Sequence, residues 1–197
     1  MTDIPKEAAE GRGLPGDGTG RYPEAYVRYL VHFHAERDYF ECHEVLEEYW
    51  KEHPEDADGE AYVGLIQLAV SLYHQRRGNL AGAVKMLSGA IRRLGGGAAE
   101  KLGIREAELL REMEGRLRAL EDPASFVYRD LDIPLADADL VQSCREASGS
   151  SWERWAQPSD LSDRYLIDKH TLRDRSGVIE ERERQRQQRL QKRGEGA

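Results

Sequence analysis

Ala61–Arg77, AYVGLIQLAVSLYHQRR, constrains this chain most. Its first dozen residues are almost continuously apolar, so the segment must be buried on most sides. It is too long for an ordinary strand and reads as a central helix around which the rest must pack. Gly64 and Ala69 are small and allow a neighbouring helix to come close. At its end, Arg77-Gly78-Asn79 forms a turn motif in which Gly78 suits a helix C-terminus and Asn79 an N-cap. Two adjacent caps imply a tight reversal and an antiparallel helix pair.

The segment before it, RDYFECHEVLEEYWK (Arg37–Lys51), reads as a second amphipathic helix. Tyr39, Phe40, Cys42, Val45, Leu46, Tyr49 and Trp50 recur at helical spacing, with Asp38 as N-cap. Upstream, Pro23 suits a first turn, and Ala25, Tyr26, Tyr29, Leu30 and Phe33 form the stripe of a first helix that ends before Asp38. HPEDADGE (53–60) is a solvated break. Downstream, Leu80–Leu94 carries a clean apolar register, the three glycines 95–97 break it, and a more charged helix follows over about 104–120.

The expected fold class is all-α: a compact bundle of five to six helices with a flexible N-terminal leader and a charged C-terminal arm. The expected division is a leader over 1–20, the bundle over 21–122, an extended or short-helical segment packed on the bundle over 123–172, and a charged tail over 173–197. Within the third part, Asp137–Ala147 reads as a short helix, and Trp152, Trp155, Tyr165, Leu166 and Ile167 are candidates to pin the segment to the core.

Composition excludes several functions. Net charge is −8, and an acidic body argues against nucleic acid as a partner. The tail is locally basic from Arg173 to Arg193, which suits contact with an acidic partner or with its own acidic body. The two cysteines, Cys42 and Cys144, form no Cys-x-x-Cys pair. No basic-then-apolar leader and no apolar run of about 20 residues is present, which points to a soluble cytoplasmic protein with no membrane association. There is no phosphate-binding glycine loop, no Gly-x-Ser-x-Gly elbow, no His-Glu-x-x-His and no Glu-x-x-His.

Chemistry-bearing residues concentrate on the second and third helices. His43 and Glu47 stand one turn apart beside Glu44, and Gln67, Ser71 and His74 share a face of the apolar helix. Polar groups on a buried helix need partners, since each left unpaired costs roughly 1–3 kcal/mol. The economical arrangement sets the two polar stripes against each other. Three outcomes are open: a closed structural network, a small-ligand pocket, or a divalent metal held by His43, Glu47 and His74 as in a hydrolase-like acid–base enzyme. A homo-oligomeric interaction module, with Tyr22, Tyr26 and Trp152 marking a contact surface, is a further alternative.

FECHEVLEEYWKE followed by GLIQLAVSLYHQRRGNLAGAVKML resembles the family known as domain of unknown function 309, small all-helical proteins of bacteria, archaea and plastids. The matching positions are His43, Glu44, Glu47, Trp50, Gly64, Leu65, Ile66, Gln67, Gly78, Asn79, Gly82 and Ala83, and the likeness spans about Tyr22 to Leu94. The later DLDIPL and PSDLSDRYLIDKHTLRDRSGVI look like a longer subgroup. The resemblance implies a compact helical bundle and no established activity, substrate or cofactor.

Overall fold

The computed structural model describes residues 21–172; the expected leader and charged tail lie outside them. Eight α-helices follow in order: α1 (Glu24–Val31), α2 (Tyr39–Glu52), α3 (Gly59–Arg76), α4 (Leu80–Leu94), α5 (Ala98–Lys101), α6 (Glu106–Ala119), α7 (Ala138–Ser148) and α8 (Arg164–Leu172). A π-helical turn, His32–Glu36, continues α1, and a 3-10 turn, Gly149–Arg154, continues α7. The described residues contain no strand, only one isolated bridge between Ile104 and Leu135. The fold is all-α. It holds more than the expected five to six helices because the chain after the three glycines winds a short extra turn, α5, and the C-terminal segment adds α8.

The centre is α3, packed along α4 and across α2. Leu65, Leu68, Ala69 and Leu72 of α3 are fully buried with Leu46 of α2 and Ala83, Leu87, Ala90 and Leu94 of α4. Close approach of α3 and α4 depends on Gly64, where an added Cβ would meet Leu94 Cγ at 2.9 Å. Gly78 reverses the chain at φ +72°, a conformation that costs glycine nothing, and the Asn79 side chain accepts from the Gly82 N–H at 3.1 Å. α6 lies on the outer side of α4, burying Leu109 and Met113.

A chain of buried polar contacts ties three helices together. Ser71 Oγ donates to the Ala83 carbonyl at 2.9 Å, Gln75 Nε2 donates to Ser71 Oγ at 3.0 Å, and Arg116 of α6 donates to Gln75 Oε1 at 3.1 Å. Arg116 also donates to the carbonyls of Arg129 and Asp130, which fastens the extended chain after α6 to the bundle.

The remaining C-terminal segment buries Leu131, Ile133, Leu140 and Cys144 in the core and adds a set of polar anchors. α1 ends in the π turn, and Arg37 leaves it at φ 54°, left-handed for a non-glycine residue. From there the buried Arg37 guanidinium donates to the Leu131 and Gln157 carbonyls and pairs with Asp132 at 2.7 Å. Trp155 stacks on His34 with ring centroids 4.4 Å apart. Tyr165, expected as a core pin, is 59% exposed instead. Its helix is anchored by Lys169, whose ammonium bonds Asp38 and Glu41, and by Arg77–Asp168.

Candidate functional site

Asp38 starts α2 by accepting the Glu41 N–H at 3.0 Å. That cap and the buried Tyr39, Cys42 and Leu46 fix the rotation of the helix, leaving His43, Glu44 and Glu47 half-buried at its solvent edge. His43 Nδ1 lies 3.0 Å from Glu44 Oε1, and Nε2 lies 3.0 Å from Glu47 Oε2. The other Glu47 oxygen takes Lys51 at 2.9 Å. One ligand atom from each of His43, Glu44 and Glu47 falls within 4.8 Å of the others; among the described residues no other group of His, Cys, Asp and Glu does so.

This arrangement has a definite electrostatic consequence. A neutral imidazole carries one N–H donor and one bare lone pair, whereas a carboxylate only accepts. With a carboxylate at each ring nitrogen, a neutral His43 would set one lone pair against an anionic oxygen. A cation bound at that nitrogen would take both the lone pair and the carboxylate oxygen as ligands.

The polar residues of α3 do not face this cluster. Gln67 Oε1 accepts from Arg93 of α4 at 3.2 Å, and Ser71 is consumed by the α3–α4 contact. The expected juxtaposition of the two polar stripes fails for these two because α3 turns them toward α4, where Gly89 leaves room for Gln67 and the Ala83 carbonyl receives Ser71. His74 falls outside the α2 cluster: its Nδ1 lies 3.1 Å from the Asn79 amide nitrogen, so it serves the turn at Arg77-Gly78-Asn79. Burial and the neighbouring Arg77 lower its pKa below the usual histidine value. The expected ligand set His43, Glu47 and His74 is therefore not assembled; the third residue beside His43 and Glu47 is Glu44, at the other ring nitrogen. Tyr26, expected on a contact surface, is fully buried and donates to the Leu102 carbonyl at 2.8 Å, while Tyr22 and Trp152 pack against the core.

A second polar centre escapes simple spacing arguments. Asp130 accepts from Tyr39 at 2.9 Å, Tyr128 at 2.7 Å, and the Ser159 hydroxyl and N–H, each at 2.6 Å. Burial works against its ionisation, but these donors, Ser159 foremost, hold its pKa below the usual carboxylate value. Asp132 behaves alike: burial opposes charge, and His34 and Arg37 outweigh it. The signal available in the sequence was DLDIPL, since residues two apart in an extended segment share a side. What they meet is contributed by Arg37 and Ser159, far away in sequence.

A sequence model of the family described as Domain of unknown function (DUF309) matches residues 26–86. The "Uncharacterized protein YpuF" of Bacillus subtilis (strain 168) is 47% identical over 174 residues, covering 87% of this chain and 99% of that protein. The chain belongs to this family. The family match contains the α2 cluster and the α3–α4 turn, whereas the YpuF likeness covers most of the chain. No solved structure matches it.

Proposed function

We propose that this DUF309 protein binds a divalent cation on α2. His43 Nε2 and a Glu47 oxygen are the ligands, and Glu44 accepts from Nδ1–H to fix the ring, the carboxylate–imidazole–metal arrangement common in metal sites. The observation carrying the proposal is the imidazole placed between two carboxylates at 3.0 Å each, so that one ring lone pair and a carboxylate oxygen stand together as a pair of cation ligands. Imidazole with carboxylate suits zinc, manganese or iron. Two protein ligands leave coordination positions to solvent or to a bound molecule. The cytoplasm is the compartment this reading places it in, because both cysteines are unpaired and buried, and intracellular thiols stay reduced.

Elemental analysis of native, untagged protein tests this, with metal titration of the stripped protein. The expected result is near-stoichiometric zinc, manganese or iron, lost in His43→Ala and weakened by about 10–100-fold in Glu44→Gln. Protein that carries no such metal and takes none up on titration would overturn the reading and leave the three side chains as a polar network at the helix surface.

A further inference from the structure

The face of α2 that carries the cluster continues into a shallow groove of about 420 Å³. Glu41, Glu44, Glu47 and Glu48 line it, against Arg28 and Lys51. Lys51 is already committed to Glu47, and Glu48 is exposed with no ion pair to another described residue. The groove is thus an anionic surface, and α8 sits at its end: Lys169 bonds Glu41 at 2.9 Å, and Glu41 is itself a wall of the groove.

The described part of α8 reaches Leu172, less than one helical turn beyond Lys169. Ten residues further along, the sequence from Arg182 to Arg193 holds Arg182, Arg184, Arg186, Arg189, Lys192 and Arg193 against the single acid Glu183. From Glu41 to Glu48 the groove runs about 10 Å along the helix. The ten residues from Leu172 to Arg182 span up to about 35 Å when extended, so reach does not limit the contact.

We infer that the α2 groove is the docking site of the basic segment Arg182–Arg193 of the same chain, with its guanidinium groups on Glu41 and Glu48. Lys169 already makes the first such contact on this face, and the later cations extend the same chemistry along it. Exposed ion pairs are individually weak. Tethering supplies the affinity, because a segment joined to its site by a short linker, here about ten residues, is present at an effective concentration on the order of millimolar. The inference stands without a metal at His43, since Glu41 and Glu48 take no part in that set.

The test uses the full chain. Gln188→Cys is labelled with a nitroxide; Cys42 and Cys144 are both buried, and burial pushes both thiols above their ordinary pKa, so neither competes for the reagent. Line broadening of 15N amides is then read at low salt and at about 0.5 M salt, where charges are screened within a few ångströms. The expected result is selective broadening over residues 41–52 that recovers at high salt and falls at least twofold in Glu48→Lys, an exposed substitution that leaves the core untouched. Unbroadened α2 amides, or broadening that ignores salt and Glu48→Lys, would overturn the inference. So would broadening seen only when labelled unenriched protein is mixed with unlabelled 15N protein, which would assign the segment to a second copy.

Discussion

Gln67 of α3 and Gly89 of α4 occupy one another's space: an added Cβ on Gly89 would overlap the Gln67 amide, whose Oε1 accepts from Arg93. This contact turns Gln67 away from α2 and dictates how α3 and α4 register. Alanine is favoured over glycine in a helix interior by up to about 1 kcal/mol. Overpacking costs about 1–3 kcal/mol, here as displacement of Gln67 from Arg93. Gly89→Ala is therefore expected to destabilise the protein by about 1 kcal/mol, yet to stabilise it by up to about 1 kcal/mol in a Gln67→Ala background. Urea denaturation of the four proteins of that cycle gives the answer. The same sign in both backgrounds would show that the glycine is not there to receive Gln67.

Arg76 fastens α8 and the preceding loop to the bundle. Its guanidinium lies over Tyr39, 4.5 Å from the ring centroid, and donates to the Arg37 carbonyl at 2.8 Å and the Leu166 carbonyl at 3.3 Å. Hydrogen bonds from a charged donor contribute about 1.5–3 kcal/mol, and a partly desolvated cation–π contact about 1 kcal/mol. Because Leu161, Tyr165 and Leu172 are more than half exposed, little apolar burial compensates for its loss. Arg76→Met should free the segment locally by about 2 kcal/mol, seen as roughly thirtyfold faster amide exchange over residues 159–172 with α3 and α4 protected as before. Unchanged exchange there would leave the anchoring to Lys169 and the Arg77–Asp168 pair.

The helices that could be read from sequence are those whose register and caps agree. The Asp38 and Asn79 caps, the Gly78 reversal and the α4 boundaries rest on local chemistry, and the pattern within a few residues decides them. The direction of α3's polar residues does not follow from that pattern. A helix buried on nearly every side has almost no hydrophobic asymmetry, so Gln67 and Ser71 take their orientation from Gly89 and Ala83 on the partner helix. His43, Glu44 and Glu47 could be grouped from spacing alone, because they lie on one turn. The centre built by Arg37, Asp130, Asp132 and Ser159 could not, since more than ninety residues separate Arg37 from Asp132, and its irregular backbone follows no period. Arg76 likewise reads as a cation at a helix end, and only tertiary contact shows it lying over Tyr39.

His34 makes stability depend on pH. It is 2% exposed, stacked on Trp155, and neither ring nitrogen has a well-formed hydrogen bond; Asp132 Oδ1, at 3.5 Å, is at the outer limit of one. Burial lowers its pKa below the usual histidine value, and the Asp132 carboxylate only partly offsets this. The folded state therefore holds His34 neutral while the unfolded chain protonates it at about pH 6.5. Above that pH neither state binds the proton and stability is at its full value. Below it the unfolded state gains a proton that the folded state refuses, so stability declines as pH falls, by at most about 1.4 kcal/mol per pH unit. Asp132 has a lowered pKa as well, but its contribution is lost only in the acid range below about pH 4, so the interval from pH 7 to 5 belongs to histidine. His74, also lowered, titrates in the same interval and stays unchanged in the comparison. His34→Phe keeps an aromatic ring against Trp155 and removes the proton site, so its denaturation midpoint should fall less steeply than that of the parent between pH 7 and 5. Parallel pH profiles for the two proteins would mean that the buried imidazole accepts a proton in place, with Asp132 moving in to pair with it.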